Sequence, residues 1–312
     1  MAVTNSAVFA AAMRATLRKQ LLTNLRADLK WSDPRLIDEG EVDQGSDTIK
    51  FMIVPDLAVA TTPLTEGTNP AAVALTLSTV SVSMAQYGNV LNYTDVAKVK
   101  SPLDLVGVAA ERMRRNAQLT LDQIVRDSVA TGGTPKYMGV GAPASRAAIA
   151  GTDLLRALDL RKLYGIMKSA NVPFFSAGNY VLFMHPYVVY DLKTDVTAGG
   201  NWITLNQYSE AGRRELLSGE IGQLEGFRIV EVSNGPTVTS TTTVYETFAF
   251  GGIKPWGAGS LQTLTTEVAP PTASAYDPLA LNGYMGWKCM YGVASLSDHY
   301  YYRVETGATS LA

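Results

Sequence analysis

Two strand-like segments of this chain are joined by a connection that is too long for an ordinary hairpin. Residues 48–54 place three apolar side chains on one face, and residues 75–84 alternate apolar side chains with threonine and serine. The connection, residues 55–74, holds 20 residues, whereas a hairpin needs about two to five. Such long connections are either functional projections or disordered, and the leucine and valine content of this one argues against disorder. The region therefore predicts a projection that reaches another subunit.

A single long helix is predicted after this region. Ser101 is a favourable N-cap, Pro102 suits the first helical position, and Asp104 favours the first turn. The glycine pair 132–133 ends the segment, so the helix spans residues 102–130, roughly 40 Å at about 1.5 Å per residue. This length exceeds the usual three or four turns, and we expect the helix to be the spine of a large domain.

Basic residues are concentrated at the start of the chain. Residues 1–30 carry five basic residues against one acidic residue, a net charge of +4, so the remainder carries −6 within the total of −2. The periodicity of residues 7–30 predicts an amphipathic helix. Its basic residues either face nucleic acid or form the solvated side of that helix. The same two interpretations apply to Arg112, Arg114 and Arg115, which lie largely off the apolar stripe of the predicted spine helix.

The second half of the chain alternates helical and strand patterns, which is typical of an α+β region. The predicted helices are residues 153–170 and 186–193, and the predicted strands are residues 180–184, 227–232, 244–250 and an aromatic strand-like stretch at 287–304. A threonine-rich turn is predicted at residues 237–243. We expect the terminal strand region to close back onto the first domain.

The low fraction of charged residues is compatible with two classes of protein. Charged residues make up 17% of the chain, below the usual value of about 25%. A low charge suits a surface that meets neighbours, and it is also typical of an ordinary threonine-rich β protein. A charged secretory leader and a run of about 18 apolar residues are both absent from the sequence, so we expect a soluble protein made in a cytoplasm.

Signals for catalysis are weak throughout the sequence. Its two histidines, His185 and His299, have no evident ligand partner, and Cys289 lies in an apolar run that favours a buried hydrophobic role. The common nucleophile, phosphate-loop and zinc motifs do not occur. Glu66 and Asp95 are interpreted as turn and cap residues. We therefore predict no catalytic, cofactor-binding or metal-binding residues.

A family resemblance is carried by short motifs in a fixed order. The series contains Thr65-Glu66-Gly67 with Pro70, Gln86-Tyr87-Gly88 with Asp95, the predicted long helix, His185-Pro186 before Asp191-Leu192, residues 219–231, and Gly286-Trp287-Lys288. Each motif is weak alone, and the order and spacing carry the likeness over residues 40–305. In this series the chain resembles tailed-bacteriophage major capsid proteins.

The resemblance implies an α+β chain with the Hong Kong 97-type, or Johnson, fold. Its implied parts are an N-terminal arm (1–30), an extended β-hairpin loop with its strands (31–90), a peripheral domain with the spine helix (91–136, completed by 287–312), and an axial α+β domain (137–286). The implied function is that of a coat protein and not of an enzyme. Its copies would form hexamers and pentamers of an icosahedral head around double-stranded DNA. Another self-associating phage structural protein, such as a tail or decoration component, is the alternative.

The resemblance also assigns roles to particular residues. Within the extended loop, the implied inter-subunit residues are Leu64, Glu66, Gly67 and Pro70. The implied genome-facing residues are Arg14, Arg18, Arg112, Arg114 and Arg115. The implied partners are other copies of the chain, packaged DNA bound without sequence preference, a separate scaffolding protein, a portal and a decoration protein, with no membrane and no cofactor. The implied location is the virion capsid, after synthesis in the host bacterial cytoplasm.

Overall fold

The computed structural model describes residues 30–33, 35–40, 46–63, 66–67, 69, 72–100, 105–175, 178–195, 203–204, 220–252, 254–273, 277–298 and 300–310. Within them the chain has a mixed α+β fold with three sheets. Nearly all of the predicted N-terminal arm, the predicted N-cap at Ser101 and His299 lie outside the described residues.

The elements are numbered in chain order. The strands are β1 (Ile37–Glu39), β2 (Thr48–Ile53), β3 (Ser78–Ser83), β4 (Ala85–Thr94), β5 (Thr134–Tyr137), β6 (Tyr180–Met184), β7 (Ile203–Thr204), β8 (Glu220–Leu224), β9 (Phe227–Glu231), β10 (Thr237–Thr239), β11 (Thr243–Phe250), β12 (Trp256–Ala269), β13 (Asn282–Ser295) and β14 (Tyr301–Thr306). The helices are α1 (Asp95–Lys100), α2 (Leu105–Thr131), α3 (Ala157–Ser169) and α4 (Pro186–Thr194), with a 3-10 turn at Arg146–Ala148.

Helix α2 is the predicted spine. It ends before Gly132 and Gly133, as predicted, and Gly133 has a φ of +78°, a left-handed conformation that glycine adopts without strain. Met113 and Ala117 of the predicted apolar stripe are buried, whereas in the second half of the helix the buried face passes through Asp122, Val125 and Val129.

Helix α2 packs against two sheets in succession. Its first half buries Ala109, Met113 and Ala117 against a four-stranded sheet of order β1-β12-β13-β4. Its second half buries Val125 and Val129 against the larger sheet, of order β5-β14-β11-β6-β9-β8-β7. The helix therefore connects the two halves of the fold.

Strand β6 shows how the larger sheet is covered on both faces. All five of its residues are buried, and successive side chains of a strand point to opposite faces. Tyr180, Leu182 and Met184 belong to the core formed with α3 and α4, whereas Val181 and Phe183 belong to the core formed with α2. This double burial explains why the sequence here is continuously apolar.

The structure confirms several predicted elements and shifts others. The strand at 180–184 is confirmed without change, and the helix at 186–193 is confirmed with one further residue. The helix predicted from residue 153 begins at Ala157, because Leu154 instead pairs with Gly307 and Asp153 accepts hydrogen bonds from the loop before it. The turn predicted at 237–243 is largely strand, since β10 pairs with β11 around residues 240–242.

The strand-like stretch at 287–304 comprises two strands in different sheets. Strand β13 pairs with β4 and β12 in the sheet under α2, whereas β14 pairs with β11 and β5 in the larger sheet. Residues 256–286, placed in the predicted axial segment, supply β12 and the start of β13 to the sheet under α2. The chain therefore passes between the two sheets more often than the predicted boundaries assume.

Candidate inter-subunit interface

Strands β2 and β3 form a separate two-stranded sheet whose base lies on the four-stranded sheet. Ile49 and Val82 are buried there. Glycines on the underlying strands permit this close approach: a Cβ at Gly259 would lie 2.0 Å from the Ile49 side chain. A Cβ at Gly292 would lie 2.4 Å from the carbonyl oxygen of Ser83. The base is thus held by packing that leaves no room for larger side chains.

Beyond this base, the hairpin and its connection expose large apolar side chains. Seven in the described residues are more than half exposed: Met52, Val54, Leu57, Val59, Val73, Leu75 and Leu77. The described residues from 54 to 63 and from 72 to 77 are all exposed and form no strand. A contiguous set of exposed apolar groups marks an interaction surface, so this segment, here named the projecting loop (residues 54–77), is the candidate interface.

The structure places two of the four predicted contact residues of the projecting loop. Glu66 and Gly67 form an exposed turn, and Gly67 has a φ of +79°, which favours glycine. Leu64 and Pro70 lie outside the described residues. The predicted turn role of Glu66 and Gly67 agrees with this geometry.

A cleft of about 580 Å³ opens beside the hairpin base. Its walls are formed by Asp38, Phe51, Met52, Ile53, Val54, Gly252, Lys254, Leu296 and Tyr300. The charged residues of the wall pair with each other, with 3.2 Å between Lys254 Nζ and Asp38 Oδ1. This largely apolar lining suits a polypeptide segment better than a reacting substrate.

The predicted basic residues on α2 differ in their surroundings. Arg112 and Arg115 are exposed, whereas the Arg114 side chain is mostly covered and forms a salt bridge with Glu111. The hydrogen bond from Arg114, together with the charges of Arg112 and Arg115, lowers the pKa of the Glu111 carboxyl. Arg14 and Arg18 lie outside the described residues. On α2, Arg112 and Arg115 therefore have the greatest access to a phosphate backbone.

A buried ion cluster, not predicted from the sequence, joins the larger sheet to α2. Glu246 and Glu305 are opposite each other on β11 and β14. Arg146 binds both, at 2.6 Å from Nε to Glu305 Oε2 and 2.8 Å from Nη2 to Glu246 Oε1. Arg303 lies 3.0 Å from Glu305 and donates to the carbonyl oxygen of Gly132 at 3.3 Å. Burial raises the pKa of Glu246, and the two arginines oppose that shift.

A second unpredicted network of hydrogen bonds holds Trp31 against α2. The backbone N–H of Trp31 donates to Asp122 at 3.0 Å, and its indole N–H donates to Asn234 at 3.0 Å. Asn234 in turn donates to Asp122 at 2.7 Å. Burial raises the pKa of Asp122. Because Trp31 is 1% exposed, this network anchors the residue that follows the predicted arm.

The residues considered for chemistry have packing and capping roles. His185 caps α4, with its Nδ1 accepting from the Tyr187 N–H at 3.2 Å, and burial lowers its pKa. Cys289 is buried under α2, and burial raises the pKa of its thiol. Among the described residues there is no cluster of three metal-ligating side chains and no helix long and apolar enough to span a membrane.

The model of a family described as "Phage capsid protein" matches residues 76–301. The match includes α2 and the strands of both larger sheets except β1, and it ends at the start of β14. A comparison with curated proteins finds no match.

Several solved capsid structures share the fold. The capsid of Ralstonia phage GP4 superposes with a TM-score of 0.70 at 14% identity, over 90% of each chain. The capsid of Cyanophage Pam1 has a TM-score of 0.65 at 16% identity over 88% of each chain. The capsid of Cyanophage P-SCSP1u has a TM-score of 0.62 at 19% identity, over 88% of this chain and 87% of that one. At these identities the likeness concerns the fold.

Proposed function

The chain belongs to the phage capsid protein family, and we propose that its copies assemble as hexamers and pentamers into the icosahedral head of a phage that encloses double-stranded DNA. It is a major capsid protein, and the resemblance found in its sequence motifs is confirmed. The observation that carries the assembly proposal is the exposed apolar surface of the projecting loop.

The physical reason is that the projecting loop leaves its own apolar side chains exposed to water within the subunit. Val59 is 85% exposed and Val73 is 70% exposed, and burying a side chain of this size contributes about 1.5–3 kcal/mol. The backbone around them, which lies in no helix or strand of the described structure, also needs hydrogen-bond partners once water is removed. Contact with a neighbouring copy meets both needs, and Leu64, Glu66, Gly67 and Pro70 are the contact and turn residues that we propose within the loop.

We assign the subunit a Hong Kong 97-type architecture. The proposed parts are the arm (1–30), the extended loop and its strands (31–90), the peripheral domain with α2 (91–136, completed by 287–312) and the axial domain (137–286). The sheet order supports moving residues 256–286 to the peripheral domain and β14 to the axial domain. In this arrangement α2 contacts both domains, and the Arg146–Glu305 cluster lies at its C-terminal end.

The proposed genome-facing residues are Arg14, Arg18, Arg112, Arg114 and Arg115, which would contact phosphates without reading sequence. Their test is charge reversal at Arg112 and Arg115, which should shorten the packaged genome while leaving shells intact. The matched control is Lys288→Glu, since Lys288 is exposed on the sheet face opposite the residues packed against α2. Unchanged packaging in the Arg112→Glu, Arg115→Glu variant would refute the assignment.

The remaining proposals concern partners and location. Assembly would use a separate scaffolding protein, and portal and decoration proteins would join the shell in the virion. The subunit would be made in the host bacterial cytoplasm and would act without a substrate or cofactor. These proposals rest on family membership.

Electron microscopy of the purified protein tests the proposed function. In negative stain, closed shells or capsomers are expected. Filaments or isolated trimers would instead favour a tail or decoration component. A protein that stays monomeric at every concentration would contradict assembly altogether.

A further inference from the structure

Strand β4 is a long sheet edge with an unpaired side. Five strands have a single neighbour in the two larger sheets of the described part of the chain: β1 and β10 with 3 residues each, β7 with 2, β5 with 4, and β4 with 10. Strand β4 pairs along its whole length with β13. No strand of the described residues pairs with its other side.

Proteins normally protect such edges. Short strands, prolines and lysines are the common devices. β1, β7 and β10 are short, and β5 contains Pro135 and Lys136. β4 has none of these devices, since its ten residues include neither a proline nor a charged side chain. An edge of this kind is a template for an added strand.

Both faces of this edge offer apolar contacts to an added strand. Val90 is 67% exposed on one face. On the other face, Tyr87 and Leu91 are half-buried at the rim of the core beneath α2. A strand laid beside β4 would extend that core with its own side chains.

The same chain contains a segment that matches this edge. Residues 72–77 are exposed and lie in no helix, turn or sheet of the described structure. They alternate Val73, Leu75 and Leu77 with small residues, which is the pattern of a strand with one apolar face. They contain no proline, whereas the other half of the loop contains Pro55 and Pro63.

The segment does not pair with β4 of its own chain. It continues into β3, and Met84 alone links β3 to β4. A one-residue link is too short for a hairpin, and β3 pairs with β2 instead. The edge and the segment therefore complement each other between copies.

We propose that residues 72–77 of one copy add as a fifth strand to the free edge of β4 in a neighbouring copy. This rests on the proposed function and names the surface that receives the projecting loop. Backbone hydrogen bonds supply the pairing, and Val73, Leu75 and Leu77 face the core beneath the neighbour's α2.

Disulfide trapping between two differently labelled copies tests the pairing. One copy carries Thr76→Cys, and the other carries a cysteine at Gln86, Val90 or Asn92, three positions on the face of β4 that points away from the core beneath α2. Thr76 points to that same face when Leu75 and Leu77 face the core. A disulfide forms only when the Cβ atoms approach to about 3.5–4.5 Å, so three positions sample the register. The native Cys289 is 3% exposed and stays unreactive. The control partner is Val140→Cys, at an exposed residue of the loop after β5.

Inter-chain disulfides with at least one β4 position, and none with Val140→Cys, are the expected result. Amide exchange of residues 72–77 should also slow by about 100-fold between free subunits and shells. Ala74→Pro should impair assembly more than the matched Ala60→Pro, which lies in the other half of the loop.

Three outcomes would overturn the pairing. If closed shells form but no β4 position cross-links and residues 72–77 exchange as fast as in free subunits, the pairing is wrong and the proposed function survives. If disulfides form with Val140→Cys as readily as with β4, the pairing is also wrong. If no shell forms from the wild-type chain, both the pairing and the proposed function fail.

Discussion

Replacing Val73, Leu75 and Leu77 by threonine should weaken assembly without destabilising the subunit. Threonine is β-branched, which suits a strand, and it carries less apolar surface than valine or leucine. The three side chains are 70%, 61% and 62% exposed, so they contribute little to the core of their own chain. The substitutions should therefore weaken the assembled state, in which these side chains are buried, and leave the free subunit as stable as before.

The magnitude follows from the exposed fraction. Full burial of such a side chain is worth about 1.5–3 kcal/mol, and roughly two thirds of each is still available to a neighbour. Allowing for the apolar part of threonine, the loss is about 1 kcal/mol per residue and about 3 kcal/mol per loop. Since about 1.4 kcal/mol is a factor of ten, the critical concentration for assembly should rise by about 100-fold.

The assay measures thermal unfolding of free subunits and then the critical concentration by sedimentation of assembled particles. The single variant Val73→Thr should raise the critical concentration by about 5-fold. Its matched control, Val140→Thr, replaces a valine of similar exposure outside the loop and should change neither quantity. Assembly of the triple variant at the wild-type concentration would refute the reasoning. A marked fall in its unfolding temperature would also refute it, because the side chains would then belong to the subunit core.

Three further predictions concern the subunit itself. Gly292→Ala should destabilise it by about 1–3 kcal/mol, because the new Cβ would lie 2.4 Å from the Ser83 carbonyl oxygen. Gly165→Ala on α3, where nothing lies within 4 Å, should stabilise it by about 0.5–1 kcal/mol, and equal unfolding midpoints for the two variants would contradict the steric account. Arg146→Met should lower the free energy of unfolding in denaturant by about 2 kcal/mol, since it leaves two buried carboxylates with Arg303 alone, and a change below about 0.5 kcal/mol would mean that the cluster is not coupled to folding. Burial lowers the pKa of His185 in the folded chain, so as the pH falls below about 6.5 the unfolded chain takes up the proton first. The stability that the neutral His185 cap provides above that pH is therefore lost as the pH falls through the folded-state pKa. His185→Asn keeps a cap that does not titrate, so its unfolding temperature should fall less than that of the wild type between pH 7 and pH 5, and parallel curves would exclude this role.

The sequence predicted those elements whose signals are local. The apolar run of β6 and the Pro186 start of α4 are complete within a few residues, and both were predicted to within one residue. The end of α2 was predicted because Gly132 and Gly133 mark it directly. The projecting loop was predicted because the connection is much longer than a hairpin requires.

The elements that the sequence did not predict depend on distant partners or on irregular register. β12 contains two shifts in its pairing with β13, between Ser260 and Gln262 and between Gln262 and Thr265. These shifts interrupt the two-residue period on which strand prediction depends. The ion cluster joins Arg146 to Glu305, 159 residues away, and its carboxylates meet only because β11 and β14 pair in one particular register.

The candidate interface was predicted in outline. The apolar residues of the connection were expected to reach a neighbour, and the structure exposes those that it describes. The strand predicted at residues 75–84 is shorter in the structure: β3 begins at Ser78, and Leu75 and Leu77 are exposed in the loop before it. The unpaired edge of β4 could not be predicted either, since the sequence of a strand does not reveal how many neighbours it has.

A cryo-electron microscopy reconstruction of particles assembled from the purified chain would show directly whether the projecting loop joins neighbouring subunits. It should show closed shells in which the projecting loop of each subunit lies on a neighbouring subunit, with Val73, Leu75 and Leu77 buried between chains. Closed shells in which the loop folds back on its own subunit, or in which these three side chains face solvent, would contradict the account.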